Sequence, residues 1–346
     1  MSSGALVFGK FLPPHAGHLR LIEAARAVGG QVAVLVCSLA REPIPGALRA
    51  GWLRELVPWA TVVHVTDENP QEPHEHPDFW EIWTATLRAS CPLPVRYLVT
   101  SEAYGDELAP RLGLQHVCVD QARSAVPVSG SAIRRAPARH WQHIPAPVRP
   151  FALKRVVVTG PESTGKTTLA ERLAAHFGTA CVPEFAREYL ERRNAERGTT
   201  AVCLEEDIEP IARGQLESEE AAARVAERVL FCDTDLIVTK IWSEHYFGRC
   251  AEWIREAART QRYDLQLLLD VDVPWVPDPL RDQPHRREHF RGLFRRELRA
   301  HGCRLVEISG SWDERFARAV RTVEAVLDEP WPALGRPGYC GELPPA

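Results

Sequence analysis

Two histidines three positions apart, His15 and His18, lie in the run Gly9-Lys10-Phe11-Leu12-Pro13-Pro14-His15-Ala16-Gly17-His18. The run follows an apolar strand-like segment and opens an amphipathic stretch. A strand passing into a helix here brings two imidazoles, the Lys10 ammonium and free helix-terminal amides to one point. Such a point holds a triphosphate on the turn Gly9–Phe11, and its imidazoles stabilise negative charge that develops when the α-phosphorus is attacked. Zinc is the competing reading of a histidine pair. It lacks an evident third ligand, since His74 and His76 fall in a Pro/Glu-rich loop.

A second run, Val128-Ser129-Gly130-Ser131-Ala132-Ile133-Arg134, opens a short helix. Ser129, Ser131 and Arg134 offer hydroxyls, helix-terminal amides and a guanidinium to phosphates. Alone, Ser-Gly-Ser is an ordinary helix cap. Paired with the histidine run in the same α/β stretch, it reads as the other half of a phosphate site.

The third run, Gly160-Pro161-Glu162-Ser163-Thr164-Gly165-Lys166-Thr167, matches G-x-x-x-x-G-K-[ST], with Val156–Val158 before it and Thr168-Leu169-Ala170 after it. Its glycines, with Ser163, Thr164 and Thr168, let backbone amides wrap nucleotide phosphates. Lys166 reaches the β/γ-phosphates and the Thr167 hydroxyl ligates Mg²⁺. Asp233, ending the apolar run Val229–Cys232, is the expected Mg²⁺ partner, and Asp235 either faces the substrate or caps the next helix. Glu184 ends another strand-like run, with Arg187 just beyond it. As in small P-loop kinases, an acid there accepts the proton of the attacking hydroxyl; the base is left between Glu184 and an Asp, and Glu184 also fits a helix N-terminal carboxylate. The proline-rich 274–281 reads as a lid. Arg281, or Arg286 or Arg287, would close on the transferring phosphoryl group, and Trp275 would stack on a base or pyridine ring or pack in a core.

The elements that must position these groups alternate. Strands are expected at 5–11, 31–39, 61–65, 95–100 and 115–119, with helices at 18–28, 48–57, 79–90 and 103–112. Three prolines in His143–Pro150 predict a semi-rigid linker with neither helix nor central strand. The alternation restarts with strands at 155–159, 179–184, 229–233, 265–270 and 304–308. Helices are expected at 165–176, 186–196, 205–227, 236–246, 286–300 and 312–327. Strands separated by helical periods imply βαβ units. The fold class is therefore α/β, with two doubly wound parallel-sheet domains: 1–142, a linker 143–153, 154–328, and an irregular tail 329–346.

With 346 residues, 45 % apolar and 25 % charged, the chain is long enough for two cores and is not a disordered or coiled-coil composition. No apolar run approaches a membrane span. Nine singly scattered cysteines, an odd number without C-x-x-C, suggest neither a zinc ribbon nor a disulfide framework, and a reduced cytoplasm is expected. Residues 1–150 carry 14 Lys and Arg against 13 Asp and Glu, and the remainder 28 against 33, so neither part advertises a duplex-binding surface. Only four cations are lysines, at 10, 154, 166 and 240, and two of these stand inside the motifs. A compact ammonium where Arg is the rule marks a site.

The HxGH and SGSxIR segments together resemble the nucleotidyltransferase superfamily, specifically nicotinamide-mononucleotide adenylyltransferases. Followed by the P-loop unit, the pattern resembles NadR-type proteins, which join an adenylyltransferase to a ribosylnicotinamide kinase. The likeness runs from about residue 4 to 328 and is closest at 9–18, 128–166, 184–189, 231–235 and 274–281. It implies an enzyme of NAD salvage using ATP and Mg²⁺. The second domain would phosphorylate the 5′-hydroxyl of nicotinamide riboside; the first would couple the mononucleotide (NMN) to the α-phosphate of ATP, giving NAD and pyrophosphate. It assigns the motif roles to His15, His18 and Lys10, the phosphate segment to Ser129, Ser131 and Arg134, and the P-loop roles to Lys166 and Thr167. The family more often has Thr at position 131 and Gly at position 279. Small molecules are the expected partners, with a homo-oligomer open and neither nucleic acid nor membrane expected. Some members carry an N-terminal helix-turn-helix; Gly4 already enters the first strand, so no DNA binding is expected. The competing functions keep both folds: another nucleoside or phosphate acceptor, or a nucleotide sensor without turnover.

Overall fold

The computed structural model describes residues 4–331 apart from Arg123, Ala201 and Arg262. Most of the tail expected to be irregular, residues 332–346, lies outside the described residues. The described chain divides into two compact units, one within Met1–Val148 and one within Arg149–Glu329, with Pro330 and Trp331 belonging to the first.

The first unit runs β1 (Gly4–Gly9), α1 (Ala16–Gly29), β2 (Val32–Cys37), α2 (Gly46–Leu56), β3 (Thr61–Val65), α3 (Phe79–Ser90), β4 (Val95–Thr100), α4 (Tyr104–Leu112), β5 (Gln115–Cys118) and α5 (Gly130–Arg135). All pairings are parallel and the sheet order is β3-β2-β1-β4-β5. Side-chain alternation along the central strand serves two cores. Ala5 and Val7 pack with Ile22, Ala25 and Leu53 of α1 and α2, while Leu6 packs with Leu87 and Leu108 of α3 and α4. Both faces are covered, so β2 reads as an unbroken apolar run rather than an alternation. The strand order reverses between β1 and β4, and the carboxyl ends of strands at such a point form a ligand crevice.

The second unit runs α6 (Arg149–Ala152), β6 (Lys154–Thr159), α7 (Lys166–Phe177), β7 (Cys181–Val182), α8 (Phe185–Arg197), α9 (Ile208–Ala223), β8 (Val229–Asp233), α10 (Leu236–Phe247), α11 (Glu252–Thr260), β9 (Leu265–Leu269), α12 (Arg287–Ala300), β10 (Leu305–Ile308) and α13 (Trp312–Leu327). Its parallel sheet has the order β10-β9-β6-β8-β7. Leu169 and Leu173 of α7 and Val323 of α13 cover one face; Ile241 of α10, Ile254 of α11 and Phe294 of α12 cover the other.

The structure corrects three expectations. The strand expected over 179–184 keeps only Cys181–Val182, because Pro183 has no N–H to extend the ladder; Thr179 instead accepts from Glu227 N at 2.8 Å and donates to Val229 O at 2.6 Å. The helix expected over 205–227 is a single 3₁₀ turn, Glu205–Asp207, followed by α9, which ends at Ala223. The proline-rich segment is wound, not extended. Between 143 and 153 it contains the 3₁₀ turn Ala146–Val148 and the helical turn α6, with Ile144, Val148, Ala152 and Leu153 buried. Prolines early in a turn lose no intrahelical bond, so they permit this winding. Helix α11 was not expected at all. Its apolar residues do recur at helical spacing, with Ile254 and Ala258 buried and Trp253 and Ala257 packed beside them.

Candidate functional site

In the first unit the two phosphate-type motifs converge. A cavity of about 1040 Å³ opens at the carboxyl ends of β1 and β4, lined by Gly9, Lys10, Phe11, His15, His18, Ser129, Ser131 and Arg134 among others. That volume stands at the top of the roughly 300–1,000 Å³ range of ligand pockets, which suits two substrates in one crevice. His15 caps α1: it is extended, and its Nδ1 accepts from Gly17 N at 3.1 Å. A neutral ring accepting at Nδ1 carries its proton on Nε2, so the cap also fixes His15 as a donor. Gly17 suits the same geometry, since a Cβ there would crowd the ring, 3.0 Å from His15 Cε1. The His15 and His18 rings stack at 3.6 Å between centroids, and Phe11 closes on His18 edge-on at 4.9 Å.

The opposite wall is α5. Ser129 Oγ accepts from Ala132 N at 3.1 Å and caps it. The Ser129 hydroxyl caps the helix through a lone pair and keeps its O–H as a donor, beside the polar groups of Ser131 and Arg134. Arg134 Nη1 donates to the Leu12 carbonyl and Nη2 to Ser131 Oγ at 3.2 Å, so this guanidinium spans both motifs. The two backbones also approach closely: a Cβ on Gly130 would lie 2.5 Å from Leu12 O. Trp331 N donates to Arg134 O at 2.6 Å, bracing the end of α5.

Beneath the Lys10 turn lies a buried ion pair that sequence reasoning missed. Arg49, 0 % exposed, donates from Nη2 to Glu42 Oε2 at 2.5 Å and from Nη1 to the Lys10 carbonyl. Glu42 also accepts from Leu39 N at 3.1 Å and faces Lys10 Nζ at 3.3 Å. Lys10 is thus held from below by a carboxylate while its ammonium reaches the cavity. An aromatic wall was also missed: Phe8 meets Trp83 at 5.7 Å and Tyr104 at 5.4 Å, and all three line the cavity. Apolar residues at strand and helix positions read as core, so no sequence signal separated them.

In the second unit the loop between β6 and α7 has the conformation its glycines allow. Gly160 and Gly165 have φ of 144° and 86°. Gly165 has no room for a side chain either, since a Cβ would lie 2.4 Å from the Trp312 ring. Thr164 Oγ1 donates to Pro161 O at 2.8 Å and Lys166 Nζ to the same carbonyl at 3.2 Å. Buried Arg315 donates to Thr164 O at 2.9 Å and so fixes the loop from α13. Thr167 Oγ1 donates to Asp233 Oδ2 at 2.5 Å. Burial pushes the Asp233 carboxyl up to about 6, with the nearby Glu184 charge adding to the effect and Lys166 opposing it.

A cavity of about 190 Å³ joins this loop to the acceptor side. Its lining includes Ser163, Thr164, Gly165, Lys166, Thr167 and Thr168, together with Glu184, Arg187 and Arg281. Glu162 also lines it, with burial pushing its carboxyl up to about 7. The stacked pair Trp242 and Tyr246, 5.5 Å apart, forms an aromatic wall that the sequence did not disclose. The 274–281 segment lies on the loop. Val276 N donates to Ser163 Oγ at 2.8 Å, Gln283 N to Glu162 Oε2 at 3.2 Å, and Arg287 Nη2 to Ser163 O at 3.0 Å. Arg187 Nη1 reaches Asp278 at 3.0 Å and ties α8 to the same segment.

Some expected residues stand elsewhere. Asp235 is not in the cavity lining: it is buried, its Oδ1 caps α10 by accepting from Val238 N at 3.1 Å, and its Oδ2 takes Gln266 Nε2 at 2.6 Å. Both oxygens are committed, so it is a cap. Trp275 is likewise outside the lining and lies against the Arg287 guanidinium, 6.0 Å from its ring centre. Of the three lid arginines only Arg281 lines the cavity; Arg286 sits over Phe290 and Arg287 is spent on the Val273 and Ser163 carbonyls. Of the two lysines outside the motifs, Lys154 pairs with Asp264 at 3.3 Å and Lys240 with Glu297 at 2.8 Å.

Residues 6–136 match the cytidylyltransferase-like family and residues 155–315 the AAA domain family. The chain is 30 % identical over 348 residues to the trifunctional NAD biosynthesis/regulator protein NadR of Escherichia coli (strain K12), covering 94 % of this chain and 83 % of that one. It is 29 % identical to the protein of the same description from Salmonella typhimurium, with the same coverage. Two crystal structures of NadR protein, one in complex with NAD and AMP-PNP and one in complex with NR, superpose with TM-scores of 0.76 and 0.77 at 24 % identity. Each covers 97 % of this chain, and this chain spans 99 % and 100 % of theirs.

Proposed function

We propose, since the chain belongs to the NadR family of NAD-biosynthesis proteins, that its nucleotidyltransferase unit makes NAD from NMN and ATP, and that its P-loop unit makes NMN from nicotinamide riboside and ATP. The observation that supports this most is the completeness of both sites in one chain. His15, His18, Lys10, Ser131 and Arg134 border one crevice, and Lys166, Thr167, Asp233 and Glu184 gather at the other.

In the first unit an NMN phosphate oxygen attacks the α-phosphorus of ATP and pyrophosphate leaves. The His15 Nε2 donor, His18 and Lys10 face the charge that builds on the triphosphate, and Arg134 and Ser131 hold it from the α5 side. In the second unit the 5′-hydroxyl of the riboside attacks the γ-phosphorus and ADP leaves. Glu184 accepts the hydroxyl proton, Lys166 spans the β/γ-phosphates, and Arg281 neutralises the transferring group.

Mg²⁺ fits the donor set. Asp233 Oδ1 is buried with no hydrogen-bond partner among the described residues, and the Thr167 hydroxyl adjoins the other oxygen. One carboxylate and one hydroxyl are what a magnesium ion takes from a protein when phosphates and waters complete its shell. Thr167 and Asp233 would hold it, and it would screen phosphate charge.

The test is a time course with nicotinamide riboside, ATP and Mg²⁺, resolving NMN, NAD, ADP and pyrophosphate. NMN rising first and NAD following is expected. NMN alone would overturn the adenylyl acceptor assignment. Neither product, from folded protein that binds ATP, would overturn the reading as a whole.

A further inference from the structure

Helix α8 is capped from outside its own segment. Glu184 occupies the N-cap position, from which a short polar side chain ordinarily accepts the first amides, yet its carboxylate makes no such bond. The acceptor comes from α9: Gln215 Oε1 takes the Phe185 N–H at 3.1 Å. Gln215 is 2 % exposed, and its orientation is fixed from behind. Its Nε2 donates to Glu219 Oε1 at 3.4 Å. Glu219 is fully buried, takes the Tyr263 hydroxyl at 3.0 Å, and faces Arg155 at 3.8 Å. An amide that donates into a carboxylate on one side must present its carbonyl on the other. The neighbouring Gly214 seats the same residue, because a Cβ there would lie 2.1 Å from Phe185 Cε1.

A carboxylate at a helix N-cap with unpaired first-turn amides is drawn onto them by hydrogen bonding and by the helix dipole. That pull would turn Glu184 from the cavity it lines and occupy the lone pair that a substrate proton needs. We propose that Gln215 is a positioning residue for phosphoryl transfer: it caps α8 in place of Glu184 and so keeps the Glu184 carboxylate on the acceptor side. The inference rests on Glu184 being the proton acceptor. Gln215 also lines the cavity, so direct contact with the nucleoside is the rival role to be excluded.

The experiment uses the full chain and four proteins: parent, Gln215→Met, Glu184→Gln and the double variant. Met matches the length of Gln and removes only the acceptor and donor; Gln215→Leu carries the same comparison if Met perturbs folding. Adenylyl transfer by the first unit serves as the loading control. Gln215→Met should lower kcat for riboside phosphorylation by at least about tenfold, within the range general bases contribute. KM for ATP should stay near the parent value; the thermal midpoint of the second unit should fall, since Phe185 N–H and Glu219 each lose a partner, so all four proteins are assayed well below their midpoints. The double variant should be no slower than Glu184→Gln alone, because both changes act on one group. Multiplicative losses in the double variant would overturn the proposal, as would a Gln215→Met protein with parental kcat, or one with raised KM for the riboside at unchanged kcat. A fully active Glu184→Gln would instead overturn the proton-acceptor reading.

Discussion

Replacing Arg49 by Met should cost the first unit about 3–5 kcal/mol, the usual penalty for stranding one member of a buried ion pair. Arg49 is wholly buried and its partner Glu42 is 7 % exposed, at 2.5 Å. The remaining cation paired with Glu42 is Lys10 at 3.3 Å, whose side chain is 46 % exposed, with Arg134 acting on it from farther away. A pair that exposed is worth no more than about 1 kcal/mol, so Lys10 cannot compensate. Glu42→Gln strands the guanidinium instead and should cost a similar amount. The double variant leaves no buried charge, so its loss should fall well short of the sum. Bulk denaturation would mix two units, so native-state hydrogen exchange is the assay, with β1 and β2 peptides reporting the pair and β6 and β8 peptides as reference. Raising salt should leave the losses nearly intact, since a buried pair is little screened. A single-variant loss under about 1 kcal/mol, or strict additivity in the double, would refute the reasoning.

His18→Ala should lower adenylyl transfer by about 10²–10³-fold, the cost of one transition-state donor, and spare riboside phosphorylation. Lys166→Ala should do the reverse; one folded variant that loses both activities would contradict two separate sites. Gly130→Ala, whose Cβ would stand 2.5 Å from Leu12 O, should displace α5 at about 1–3 kcal/mol and lower adenylyl transfer alone, measured against the kinase rate. Asp233→Asn should abolish phosphoryl transfer yet stabilise the ligand-free second unit at neutral pH. The native carboxyl titrates near 6 against an ordinary 3.8, so the native state holds more protons between these values and loses stability as pH rises through that window. Asn would restore that lost stability above pH 6 while flattening the slope below it. Equal stability of the two proteins at pH 7.5 would refute this.

The phosphate-handling half of each site was legible because backbone geometry dictates residue type locally. Gly160 and Gly165 need positive φ, Gly130 must clear a carbonyl, and Gly17 packs closely on the His15 ring, so the glycines, with the polar residues beside them, form a local pattern. Strands β3 and β4 and helices α3 and α13 were also bounded correctly, each by a plain period and a turn signal. For Asp235 and Trp275 the sequence left two roles open, for one shared reason. Sequence proximity to a motif says nothing about which way a side chain points, and both turned to structural partners, Gln266 and Arg287.

What stayed hidden acts at long range. Glu42 precedes the helix expected at 48–57 and Arg49 stands in its first turn, and only the fold brings them under Lys10. Arg315 grips Thr164 from 151 residues away, and Gln215 reaches Phe185 across 30. None of these leaves a periodic trace, because a single buried hydrogen bond constrains one residue and not its neighbours. The aromatic walls fail for the opposite reason: Trp83 and Trp242 obey the helical period and so look like core. Phosphates are held largely by backbone amides, whose needs are written locally as glycine and helix start. Ring recognition and proton transfer depend on side chains assembled from separate elements. Phosphate handling is therefore readable one segment at a time, whereas the Gln215 contact and the aromatic walls at Trp242 and Trp83 exist only in the folded unit.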